Sequence, residues 1–228
     1  MTRLKAPPTA ATMAVRTALI LAVFVVAFSG LLVAAFLSTR EAIDAAAAAE
    51  KMKLIGEVLP PEVYDNDLLR DRLPLPPSAA LGNDEETTGY LARKAGKASA
   101  LVFEAVAPDG YSGKIRLLLA VAADGTLLGV RVTQHKETPG LGDYIDPRKD
   151  RNKERPWIRQ FDGLSLATVN DREWRVKKDG GRFDSVAGAT VTPRAVIKAV
   201  HKALQYVDAN RQRLFAEAVL PEGRGGEQ

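Results

Sequence analysis

The chain has 228 residues, 46% of them hydrophobic, and a formal charge of +4 from 32 basic and 28 acidic side chains. That length accommodates one membrane span and one domain with a sizeable core. The charge is not arranged as a basic run interleaved with aromatics, so nucleic-acid binding has no support. Cysteine is absent and histidine occurs only as His135 and His201. This excludes disulfides, c-type haem attachment and cysteine-ligated iron–sulfur clusters, and leaves no basis for a histidine-rich metal site. Any redox centre on this chain is expected to be organic.

Residues 18–37 form a charge-free run of twenty residues, long enough to cross a hydrocarbon core of about 30 Å, and predict one transmembrane helix. A cleaved signal peptide is the alternative, with a cleavage site among the alanines at 45–49, but its apolar region is ordinarily about 7–15 residues. Arg3, Lys5 and Arg16 precede the run, whereas Arg40 is followed closely by Glu41 and Asp44. The positive-inside rule therefore puts an N-terminal tail, residues 1–17, in the cytoplasm and the main domain outside, in the periplasm.

Residues 41–57 are Ala-rich and predict a stalk helix ending before Pro60 and Pro61; residues 73–98, rich in Pro, Gly and charge, are expected as an irregular connection. Strand character follows at 100–107, 114–122 and 127–133, with Asp124-Gly125 as a hairpin turn. The charged segment 143–159, interrupted by Pro147 and Pro156, is expected as a solvated loop or short helix. Residues 173–177 and 182–186, either side of Asp179-Gly180-Gly181, predict a second hairpin. A helix over residues 193–210 follows from Val196, Val200, Ala203 and Val207, and residues 221–228 are expected to be disordered. The order of elements indicates an α+β fold: a single N-terminal transmembrane helix, then an extracytoplasmic domain with an antiparallel sheet and packed helices.

The most informative stretch runs from Asp184 to Pro193. Thr192 is placed to cap the last helix and Pro193 to begin it. The free amides and positive dipole end of such a terminus favour an anion, while Gly188 and Ala189 permit close approach to the main chain. Upstream, Glu137-Thr138-Pro139-Gly140-Leu141-Gly142 follows a predicted strand and makes a constrained turn whose backbone can face a flat ring.

At these residues the chain resembles the RnfG family of the Rnf electron transport complex and, more distantly, the related NqrC proteins. Asp184, Gly188, Ala189 and Thr190 match the family's Asp-x-x-Ser/Thr-Gly-Ala-Thr motif, with Ala187 standing where Ser or Thr is usual. The resemblance implies FMN attached covalently through a phosphoester to Thr190. It also implies that Glu137, Thr138, Gly140, Leu141 and Gly142 lie against the flavin, with Asp184, Gly188, Ala189 and Thr192 contributing to the site. Further matches are Tyr64-Asp65-Asn66, Gly110-Tyr111-Ser112-Gly113 and residues 174–183. Their order carries the resemblance over most of the chain.

On that basis the chain divides into the tail 1–17, the span 18–37, a stalk and connecting segment 38–98, an FMN-binding domain 99–210 and a C-terminal tail 211–228. The implied role is a phosphoprotein-type flavin carrier of the cell inner membrane within an ion-translocating complex. Its implied partners are the flavin and iron–sulfur subunits of that complex, and a separate flavin transferase that uses FAD. No catalytic residue is expected on this chain. A single span without an ionisable residue offers no ion path of its own. The competing class is a membrane-tethered interaction module, or a binder of an unlinked anionic ligand, without redox work.

Overall fold

A computed structural model describes residues 10–216. They fall into two compact units divided between Lys51 and Met52. Arg3, Lys5 and the predicted disordered tail at 221–228 lie outside the described residues.

Helix α1 runs without a break over Ala10–Gly56, so the predicted span and the Ala-rich stalk are one helix. It is long and apolar enough to cross a membrane, and its large apolar side chains from Met13 to Ile43 are exposed.

Beyond Lys51, a five-stranded antiparallel sheet is built in sequence order: β1 (Arg72–Leu75), β2 (Thr87–Lys94), β3 (Lys97–Gly110), β4 (Gly113–Ala122) and β5 (Leu127–Gln134). Strand side chains alternate between faces, and that alternation sorts two cores. Leu101, Phe103 and Ala105 of β3 join Ile115, Leu117 and Leu119 of β4 in the larger core, beneath helix α2 (Val191–Ala209). Ala100 and Val102 with Leu118 and Ala120 point the other way, where Ile55, Val58, Leu59 and Leu68 cover them. A short helix α3 (Arg211–Ala216) follows and buries Leu214.

Five expectations are corrected in whole or in part. The expected irregular connection at 73–98 holds β1, β2 and the start of β3. Edge strand β1 accommodates Pro74 because a strand with one neighbour can forgo an amide donor. The predicted hairpin at 173–186 is instead two 3-10 turns, Asp171–Glu173 and Lys177–Asp179, with one isolated parallel bridge between Val176 and Phe183. The charged segment 143–159 carries short 3-10 helices at Asp143–Ile145 and Trp157–Phe161, one of its two expected forms, but it is not simply solvated. Its cations point outward, but Tyr144, Ile145, Trp157 and Ile158 are buried. Finally, α2 begins at Val191 rather than Pro193, and residues 211–216 are helical where a tail was expected.

Candidate functional site

Two segments far apart in sequence meet at one cavity of about 270 Å³. Tyr111, Glu137, Thr138, Leu141 and Gly142 form one wall. Gly188, Ala189, Thr190, Val191 and Thr192, at the entry to α2, form the other. Of the ten predicted site residues, eight line this cavity; Asp184 and Gly140 do not.

The first wall is a tight turn after β5. The Thr138 carbonyl accepts from the amides of Leu141 and Gly142, both at 3.1 Å, and the Gly140 amide donates to Asp143 Oδ1 at 2.8 Å. Gly140 sits at φ +76° with open space where a Cβ would be, so glycine is needed there for its backbone conformation. Gly142 serves the opposite purpose. A Cβ on it would lie 2.8 Å from Thr192 Oγ1 and 2.9 Å from Glu137 Oε2, so its missing side chain lets the two walls close.

The walls are joined by a buried polar contact. Glu137 is 4% and Thr192 2% exposed; the Thr192 hydroxyl donates to Glu137 Oε2, while Glu137 Oε1 accepts from the Ser112 amide at 3.0 Å. Thr192 therefore lines the cavity with its hydroxyl committed to Glu137, and does not take the N-cap position expected of it. The N-cap position belongs to Thr190, at φ −94° and ψ −17°, and it makes no side-chain capping bond. Of the two threonines, Thr190 keeps an uncommitted hydroxyl, half-buried at the cavity.

Thr190 is presented by a turn over residues 186–189. The Ala189 amide donates to the Val186 carbonyl at 3.1 Å, and Gly188 takes φ +84°, a conformation that favours glycine. Asp184 lies at the base of this turn. Its carboxylate pairs with Lys177 at 2.6 Å, its amide donates to Gln160 Oε1 at 2.8 Å, and its carbonyl accepts from Trp157 Nε1 at 2.6 Å. It starts the loop and does not face the cavity.

Sequence inspection missed three contributors. Tyr111 and Val191 line the cavity, and Tyr144 bonds the turn from behind through its hydroxyl, which donates to the Ala189 carbonyl at 3.2 Å. An aromatic residue inside the charged segment at 143–159 was the one signal that pointed to Tyr144.

The rim is apolar. Among the described residues after Lys51, the exposed large hydrophobics are Leu54, Tyr111, Leu141, Val186 and Val191. The last four belong to the cavity wall or the turn beside it, a concentration of exposed apolar surface that marks a binding site. A buried polar floor, an apolar rim and the Thr190 hydroxyl at a helix entry suit a flat, amphipathic ligand with an anionic tail. The volume of about 270 Å³ falls just below the about 300–1,000 Å³ usual for such sites.

Residues 110–205 match the family model described as FMN-binding domain, and that stretch contains both cavity walls. The domain is thus an FMN-binding domain. The chain is 49% identical over 213 residues to the G subunit of the ion-translocating oxidoreductase complex of Pseudomonas aeruginosa (strain UCBPP-PA14), with 93% of this chain and 95% of that protein covered. Proteins of the same name from Shewanella baltica (strain OS223) and Vibrio atlanticus (strain LGP32) are 41% and 40% identical, covering 89% and 93% of this chain and 93% and 97% of theirs. The chain belongs to the RnfG family of ion-translocating oxidoreductase complexes.

Proposed function

We propose that this chain is the membrane-anchored, electron-carrying RnfG component of an Rnf-type complex, with FMN held covalently on Thr190 by a phosphoester. The observation that carries this is the arrangement of the two threonines at the entry to α2. Thr192 is buried and donates to Glu137, whereas Thr190 lines the cavity at the start of α2 with no side-chain capping bond. First-turn amides of α2 and its dipole favour a phosphoryl group beside that hydroxyl.

Tyr111, Leu141 and Val191 supply apolar surface for the ring system and exclude water from its faces. Glu137 and Thr138, on the same wall as Tyr111 and Leu141, set the polarity beside it. Gly140 and Gly142 keep that wall turned and close. FMN bound there supplies one- and two-electron redox chemistry, and the protein supplies position and electrostatics.

Attachment requires a separate flavin transferase with FAD as donor. Thr190 Oγ bonds to the phosphorus on the FMN side, the bond to AMP breaks, AMP leaves with the electron pair, and the hydroxyl proton passes to a base of the transferase. Partner subunits carrying flavin and iron–sulfur centres complete the electron path. A covalent link also prevents loss of the cofactor by dilution outside the cytoplasm.

Thr190→Ala should abolish the flavin that survives denaturation and precipitation, and Thr190→Ser should keep part of it. Full covalent flavin in Thr190→Ala, or a colourless wild type from a host able to attach flavin, would refute the proposal. The domain is assigned to the periplasm, with α1 crossing the inner membrane and the N-terminus in the cytoplasm. Protease added to spheroplasts should then digest it, and protection there would reverse the orientation.

A further inference from the structure

We propose that Tyr144 is a positioning residue for the modification of Thr190, its hydroxyl holding both ends of the turn that presents the acceptor. This rests on Thr190 being the acceptor. The Tyr144 hydroxyl donates to the Ala189 carbonyl at 3.2 Å and accepts from the Val186 amide at 3.4 Å. Val186 and Ala189 are the two ends of the turn, bridged to each other, and Thr190 is the next residue. Between them Ala187 and Gly188 are exposed, and Gly188 holds φ +84° with no packing around it. Beyond the Ala189 amide bond to the Val186 carbonyl and the burial of Ala189, a turn of small residues with a glycine at its corner has only the two Tyr144 bonds to hold its ends.

The phenol is itself fixed. Tyr144 is 7% exposed, and its ring meets Trp157 edge-on at 5.7 Å and 88°. Trp157 in turn donates through Nε1 to the Asp184 carbonyl, and Gln160 accepts from the Asp184 amide. Side chains at 144, 157 and 160 thus hold the entry to the turn and its two ends in one row. Burial pushes the Tyr144 phenol up to about 12, so the hydroxyl keeps its proton and its donor role through the neutral range. Tyr144→Phe would retain the ring against Trp157 and remove both bonds to the turn.

In the transfer described above, the Thr190 oxygen must reach the phosphorus of FAD. A turn free to sample other conformations presents it in only a fraction of encounters. The test uses the full-length apoprotein in detergent, from a host lacking flavin transferase, incubated with purified transferase and FAD. Covalent flavin is read as fluorescence of the denatured band. Tyr144→Phe should lower the kcat for attachment by about tenfold, the order expected for loss of hydrogen bonds to the backbone, with a smaller change in the KM for the acceptor protein. Hydrogen exchange at the Val186 amide should quicken in the variant while β3 and β4 stay protected.

Attachment at the wild-type rate would overturn the proposal. So would a slower rate accompanied by faster exchange throughout the sheet, which would make Tyr144 a general structural residue. Should Tyr144→Phe fail to fold, the wild-type apoprotein decides: Val186 should exchange more slowly than Ala187 and Gly188, and equal rates would refute the clamp. A wild type that takes no flavin on Thr190 would instead refute the acceptor assignment.

Discussion

The five-stranded sheet and the stretch from His135 to Thr190 share one apolar core and differ in what orders their backbone. In the sheet, alternating apolar side chains on β3 and β4 fill a core on each face. From residue 135 to 190 the longest regular element is the five-residue 3-10 turn Trp157–Phe161. Apolar anchors such as Ile145, Phe161 and Phe183 tie it to the core, and side chains that bond the backbone, in place of a repeating ladder, order the chain between them. Asp150, 8% exposed, accepts from the Trp157 amide at 2.6 Å and the Asn152 amide at 2.9 Å; Tyr144, Trp157 and Gln160 bond the acceptor turn. The division suits the function. The sheet provides a rigid support, and the irregular stretch aims particular backbone groups at a cavity, which repeating structure does poorly.

Substitutions should separate the two regions. The largest effect belongs to the sheet: Phe103 is fully buried between its neighbours, and Phe103→Ala should cost about 3–5 kcal/mol. That is much of the about 5–15 kcal/mol that stabilises a typical domain. Urea denaturation should show a lower midpoint, and flavin attachment should fail only in proportion to the unfolded fraction.

Asp150→Ala should cost less, about 1–3 kcal/mol for a buried amide left without its acceptor, yet damage the site more. Trp157 would lose its fixed backbone, shifting its fluorescence, and attachment should slow further than the lost stability explains. Equal damage to stability and attachment would erase the distinction between the regions.

A smaller effect is expected at the wall. Glu137→Gln preserves an acceptor for the Ser112 amide and removes a buried negative charge. It should leave the fold near wild type and raise the flavin midpoint potential, because a nearby anion disfavours the added electron. Unchanged potentials in spectroelectrochemistry would move the ring away from this wall.

The smallest effect tests where the irregular stretch meets helix α2. His201 of α2 stacks on Trp174 at 5.0 Å and 4°. Burial holds this imidazole below its usual range, against a weaker pull from Asp171. Although Asp171 lies 3.1 Å from Nε2, its side chain is 81% exposed, so solvent screens the pair. A histidine held neutral in the folded state contributes its full stability above the unfolded value of about 6.5. That contribution is lost as pH falls through the unfolded value toward the lowered folded one. Stability should therefore drop as pH falls through about 6.5 and below, and His201→Phe, which keeps the stack and cannot titrate, should flatten that slope. An unchanged slope would show that other groups govern it.

The contrast between regions also explains what was legible in the sequence. Strands β3 to β5 and α2 announce themselves because their apolar side chains recur at the period of the element, and Asp124-Gly125 marks the turn between β4 and β5. Strands β1 and β2 were hidden: Pro74 and Gly89 weaken the strand signal, and pairing with β3 overrides local preference. In the irregular stretch no period exists to read. The motifs at 137–142 and 184–192 were visible as residue types, and eight of their ten site residues do line one cavity. Their bonds were not visible. Thr192 has the profile of a helix cap, and only its contact with Glu137, fifty-five positions away, shows that its hydroxyl is committed elsewhere. Tyr144 likewise sits in a charged segment whose cations conceal a buried aromatic row.

The central claim, that Thr190 carries the flavin, is tested most directly by mass spectrometry of the tryptic peptide covering residues 183–194. The full-length protein should come from a host that contains flavin transferase. Fragment ions should place one FMN phosphoester on Thr190 and leave Ser185 and Thr192 unmodified. An unmodified peptide, or the added mass on either of those other hydroxyls, would contradict the account.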